Sequence, residues 1–167
     1  MTNEMNPGLV WAVLATGIGA TLIIDLWAVL LKRTFGIMPT NWAIVGRWFA
    51  GIPLGRFKLR TDSCEYPIRF ELQLGWIAHY AVGIGYALVY MTIMNLASTP
   101  VSLATAMAFG LVTVLAPWLV LMPGLGKGWF AATAPRPALT RLLNLVVHLM
   151  FGAGLYVTWR IYAIVGI

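Results

Sequence analysis

The chain has 167 residues, of which 60% are hydrophobic and 10% charged, with a mean hydropathy of +0.85. An ordinary soluble domain is about 45–50% apolar and about 25% charged, so a water-soluble globule of this composition would lack the charges to cover its surface. Intrinsic disorder is excluded on the same ground. The net charge of +6 points to basic loops at anionic headgroups rather than to nucleic acid.

An integral membrane protein remains. The length suits one membrane domain over residues 1–167. The single cysteine, Cys64, excludes an internal disulfide and a cysteine-only metal site. No cleavable signal peptide is expected. Met1 to Gly8 carry Glu4 and no Lys or Arg, and the apolar run that follows is too long for a signal core.

A membrane-crossing helix needs about 20 mostly apolar residues. Four stretches qualify, over about residues 7–31, 74–96, 101–122 and 141–165. Asn6 suits the N-cap of the first, and Pro7 its first helical position. A long loop follows, residues 32–73. In it, Thr40-Asn41 ahead of Trp42 to Phe49 predicts a short interfacial helix, with Trp42 and Trp48 at headgroup depth and Arg47 on lipid phosphates. The plainer reading is an anchor that holds the loop to the membrane. From Gly55 to Glu71, Arg56, Lys58, Arg60 and Arg69 alternate with Asp62, Glu65 and Glu71, as on a solvated surface.

Only Ser98, Thr99 and Pro100 separate the second and third spans, which predicts a tight antiparallel hairpin. Pro117 predicts a kink in the third span, freeing a backbone carbonyl, and Pro123-Gly124 its end. The second loop covers residues 123–140. Its Gly124 to Gly128 stretch lacks the spacing and the hydroxyl of a phosphate loop and reads as a turn, with Lys127 at headgroups. Trp11 and Trp159 near one face and Trp42, Trp48, Trp76 and Trp129 near the other form an aromatic belt, not a base-stacking platform.

Orientation follows from the basic residues. Lys32, Arg33, Arg47, Arg56, Lys58, Arg60 and Arg69 fall in the first loop, and Lys127, Arg136 and Arg141 in or beside the second. Only Arg160 lies on the other side. The fold expected is an all-α, four-transmembrane-helix up-down bundle with both loops cytoplasmic and both termini outside.

Ionisable groups inside a bilayer are costly and usually face the bundle interior. Here they are Asp25, His79 and His148. Each is expected about 8–10 Å below the cytoplasmic boundary, counted at 1.5 Å per residue. Small or polar stripes run with them at four-residue spacing: Gly17, Thr21 and Asp25; Gly75, His79 and Gly83; Ser102, Ala106, Gly110, then Thr113 and Pro117; Asn144, His148, Gly152 and Tyr156. The three groups should therefore converge.

Three readings of that convergence stay open. A structural cluster would hold the helices in register. A proton or cation site would use a carboxylate beside imidazoles, the side chains whose charge changes between pH 5 and 8. Metal or haem ligation would use His79 and His148, carried on parallel spans that lie diagonally across a bundle. Hydrolytic or transfer chemistry lacks a nucleophile with a convincing base.

The segments Gly17 to Thr21 with Asp25-Leu-Trp27, Asn41 to Trp48, Gly75-Trp-Ile-Ala-His79-Tyr80, Val112 to Pro117 with Pro123 to Gly126, and His148 to Tyr156 together cover nearly the whole chain. In them the sequence resembles an uncharacterised family of small bacterial inner-membrane proteins, a domain of unknown function with four predicted spans. The resemblance implies a bacterial cytoplasmic membrane location and no activity.

The leading expectation is a proton or cation site at Asp25, His79 and His148, with Asn144 and Thr21 beside them. It would serve a homo-oligomer or a larger membrane complex, because four short spans leave little room for a private pathway. The alternatives are an accessory subunit without chemistry of its own, and a b-type haem or metal protein.

Overall fold

A computed structural model describes residues 7–59 and 67–165. Asn6, Arg60, Asp62, Cys64 and Glu65, singled out above, lie outside the described residues. Every regular element described is helical. In chain order these are α1 (Pro7–Phe35), α2 (Trp42–Gly51), α3 (Glu71–Leu96), α4 (Leu103–Thr113), a π turn (Pro117–Leu121), the single-turn α5 (Met122–Gly124) and α6 (Pro137–Val165), with short 3-10 turns after α2 and before α6.

Local chemistry sets most of these ends. Asn41 caps α2, its side chain accepting from the N–H groups of Ala43 at 3.1 Å and Ile44 at 3.4 Å. Ser102 and Thr105 form a reciprocal capping box at the start of α4. Pro137 opens α6, where a missing N–H costs nothing. Pro117 offers no N–H to the carbonyl one turn back. The regular helix therefore stops at Thr113, and the chain continues as a π turn closed by the Met122 N–H on the Pro117 carbonyl.

Four helical stretches are long and apolar enough to cross a membrane: Gly8–Phe35, Glu71–Leu96, Leu103–Gly124 and Pro137–Val165. They exceed the expected spans at several ends. Large apolar side chains such as Leu26, Ile77, Val112 and Ile161 face outward. Their helices satisfy their own backbone groups, as a lipid environment requires.

α1 packs against both α3 and α6, and α4 packs against α6. These crossings depend on small residues. A Cβ on Gly17 would sit 2.6 Å from the Ile84 Cα, and one on Gly83 would run into the Thr21 hydroxyl. A Cβ on Gly152 would lie 2.5 Å from the Ala106 carbonyl. The tight hairpin expected between the second and third spans is corrected here. The turn is short, but α3 and α4 hardly touch through their backbones. The small face of α4, Ala106 and Gly110, is turned to α6 instead. The rings of Tyr86, Tyr90 and Phe109 fill the gap, and the Tyr90 hydroxyl reaches Thr105 Oγ1 at 2.8 Å.

The helices close completely only in the half nearest the α3–α4 turn. There Ala20, Ala87, Tyr90, Ala106 and Leu155 lose all solvent contact. The other half, towards the two long loops, is hollow.

Candidate functional site

A half-open cavity of about 800 Å³ occupies the loop end. Its walls come from α1, α2, α3, the π turn and α6. Asp25, His79 and His148 all line it, as do Thr21, Asn144, Trp42, Trp48 and Lys127. They lie ten, eight and eleven residues, in turn for the three ionisable groups, inside the loop ends of α1, α3 and α6. At 1.5 Å per residue that is about 12–17 Å from the helix ends, which lie beyond the ends of the expected apolar spans.

The wall of α1 and α3 carries a bonded acid. His79 Nε2 lies 3.0 Å from Asp25 Oδ1, and the Tyr80 hydroxyl donates to Asp25 Oδ2 at 2.9 Å. Both carboxylate oxygens thus have a protein donor. Trp42, delivered by α2, stacks on the His79 ring with centroids 4.0 Å apart and planes 28° from parallel. The stacked indole fixes the orientation of the imidazole ring beside Asp25.

The α6 wall, backed by α4, carries the second histidine. Thr113 Oγ1 lies 2.6 Å from the Gly110 carbonyl and 2.8 Å from His148 Nδ1. A hydroxyl has one proton, and a carbonyl can only accept it. The Thr113 proton therefore goes to Gly110, and His148 Nδ1–H must donate to Thr113. In the neutral ring Nε2 is then left with a lone pair, and it has no protein partner among the described residues. One turn nearer the loops, the Asn144 side-chain Nδ2 is buried with no hydrogen-bond partner.

The three ionisable groups therefore share a cavity without forming one constellation. Among the described residues, no three His, Cys, Asp or Glu side chains are grouped closely enough to hold a metal ion. Of the two histidines suggested as a haem or metal ligand pair, His79 directs Nε2 at Asp25 and His148 directs Nδ1 at Thr113. Thr21, placed beside the site from sequence, bonds the Gly17 carbonyl at 2.7 Å and packs against Gly83, so its hydroxyl proton is committed to helix packing.

The residues expected at lipid headgroups also make contacts within the protein. Arg47 reaches Glu71 with two hydrogen bonds, Nε to Oε2 at 2.9 Å and Nη2 to Oε1 at 3.1 Å. Trp48 is 5% exposed; its Nε1 donates to the Phe57 carbonyl at 2.9 Å and its ring covers Gly124. Trp42 stacks on His79. All three turn towards the protein because α2 lies flush on α3: a Cβ on Gly46 would strike the Glu71 carbonyl, and one on Gly75 the Trp42 carbonyl. Gly75 thus serves α2, whereas Gly83 on the same stripe serves α1. Lys127 stays exposed at the cavity rim.

Two partners were missed in the sequence. Tyr80 adjoins His79 and so points to a different face of an ideal helix, yet both long side chains reach one carboxylate. Thr113 stood on a small-residue stripe, and its role as the acceptor for His148 comes from the close α4–α6 crossing at Gly110.

Fold and site together define a multi-pass helical bundle whose ionisable groups line a cavity at one end. The chain belongs to a family described as a protein of unknown function (DUF2938), whose family model matches residues 14–162. No curated protein and no solved structure matches it.

Proposed function

We propose that this is a small membrane protein in which Asp25 and His79 exchange a proton with the content of the loop-end cavity. The observation that carries the reading is the 3.0 Å contact between Asp25 and His79 on the wall of that cavity. A carboxylate and an imidazole in direct contact hold one proton between them, and either partner can return it. The Trp42 stack holds the imidazole in the orientation that keeps this contact. Proton handling is favoured over cation binding. A cation on Asp25 would compete with donors from both His79 and Tyr80, whereas a proton uses the arrangement as it stands.

Ten of the eleven Lys and Arg residues fall in or beside the two long loops. That asymmetry supports a cytoplasmic membrane with the loops, and so the cavity mouth, on the cytoplasmic side. An open cavity wall also supports service within a homo-oligomer or a larger membrane complex.

The chain has only two histidines, so ¹⁵N spectra of histidine-labelled protein in nanodiscs resolve each ring. The His79 ring nitrogens should report the proton shared with Asp25, and their signal should change when Asp25→Asn alters that partner. A His79 signal blind to Asp25→Asn would leave Asp25 and His79 as a helix-pinning pair and support the accessory-subunit reading.

A further inference from the structure

We propose that the same cavity binds a single-chain anionic amphiphile, with its head between Lys127 and Asn144 and its chain running inward past Ile24, Val82 and Phe151. This goes beyond proton exchange at Asp25 and does not depend on it. The volume of about 800 Å³ falls within the roughly 300–1,000 Å³ of small-molecule sites. It accepts one acyl chain with its head and is too small to enclose a two-chain phospholipid.

The charge distribution selects the head. Asp25 is the only acid lining the cavity among the described residues, and it is paired with His79. The Lys127 ammonium has no partner among the described residues, so among them the uncompensated charge lining the cavity is positive. The Asn144 Nδ2 is a buried donor with nothing to donate to, a costly state that an acceptor would relieve. Both groups line the same cavity, and a carboxylate or phosphate head is the chemistry that each recognises. Deeper in, the cavity is walled mainly by aliphatic and aromatic side chains, which suit a hydrocarbon chain. A free fatty acid and a single-chain lipid with a phosphate head present this same chemistry.

The test is native mass spectrometry of the full chain released from non-ionic detergent and titrated with palmitate. Wild type should form a saturable one-to-one adduct. Asn144→Leu should weaken it about tenfold by removing the donor. Lys127→Gln should weaken it about threefold, with the difference shrinking in high salt. Lys127 is an exposed loop residue, so that variant keeps the question answerable even if Asn144→Leu fails to fold. Hexadecanol, with a similar chain and a neutral head, should bind at least about tenfold more weakly than palmitate. Palmitoyl lysophosphatidic acid binding more tightly than palmitate, with the same dependence on Lys127 and Asn144, would support the phosphate-headed lipid as the source; weaker binding would support the free acid. Hexadecanol binding as tightly as palmitate, or palmitate binding unchanged by both substitutions, overturns the proposal. Displacement of palmitate by equimolar two-chain phosphatidylglycerol overturns the single-chain assignment.

Discussion

The two halves of this bundle use the same kind of helix to opposite ends. Towards the α3–α4 turn, Ala20, Ala87, Ala106 and Leu155 are fully buried, and glycines let the helices touch backbone to backbone. Towards the loops, the same helices separate around a cavity of about 800 Å³. The difference lies less in hydrophobicity than in what is wedged between the helices. In the closed half, Gly17, Gly152 and Gly154 remove the side chains that would hold neighbours apart. In the open half, the π turn after Pro117 redirects the third span. α2 also takes up the Gly75 face of α3, leaving the polar residues to line a space rather than fill one. Close packing supplies a rigid frame, and the frame holds open a site that could not persist in a bundle packed evenly along its length.

Breaking the closed half should have the largest effect. Gly152→Leu places a side chain against the Ala106 carbonyl and the Met107 Cα, 2.5 and 2.9 Å from the new Cβ. Both obstacles are backbone, so α4 and α6 must separate. A stability loss of about 3 kcal/mol is expected, read as a lower midpoint in thermal unfolding in detergent. An unchanged midpoint would mean that the α4–α6 crossing is not the tight contact described.

Next comes the clamp that positions α2. Arg47→Ala removes both hydrogen bonds to Glu71 and leaves a largely covered carboxylate, a loss of about 2 kcal/mol. The effect should be regional. Hydrogen exchange should accelerate across α2 and the start of α3, and the His79 ring signal should shift as Trp42 loosens, while the α4–α6 crossing stays protected. Uniform acceleration would show that the two halves unfold as one unit.

How far the sequence discloses this arrangement follows the same division. Small residues four apart mark a face at which membrane helices approach, so the close approaches at Gly17, Gly83, Gly110 and Gly152 are legible from residue spacing alone. The Asn41 cap and the break at Pro117 follow from local chemistry. Periodicity names a face, however, and not the neighbour that occupies it. Gly75 and Gly83 share one stripe yet meet α2 and α1. Likewise His148 is legible as an inward residue but not as a partner of Thr113, because that contact depends on the register in which α6 crosses α4. Arg47 and Trp48 read as membrane-facing by residue type, and only the docking of α2 on α3 turns them inward.

The Thr113–His148 contact offers a smaller and more local test. Thr113→Val keeps the shape and removes the oxygen that accepts from Nδ1. Side-chain hydrogen bonds between membrane helices average about 0.6 kcal/mol and reach about 1.7, so a loss of about 1 kcal/mol is expected. The more telling readout is the ¹⁵N spectrum, in which the neutral His148 ring should change from a single Nδ1–H tautomer to a mixture. A ring already mixed in the wild type would contradict the single-proton reading of Thr113.

The smallest effect on stability should come from the hollow half, and its size is the point. Val147 lines the cavity on α6, one residue before His148. In a close-packed interior, Val147→Phe would force its neighbours aside at a cost of about 1–3 kcal/mol. Here the added ring has space to enter, and filling a cavity commonly raises stability by about 0.5–2 kcal/mol. We expect the low end, about 0.5 kcal/mol, because the cavity is half open and only part of the ring would be covered. The same substitution should abolish the one-to-one palmitate adduct, since ring and chain compete for one volume. A variant that is markedly less stable would show that the space closes in the membrane. A variant that is stable and still binds palmitate would place the amphiphile elsewhere on the protein.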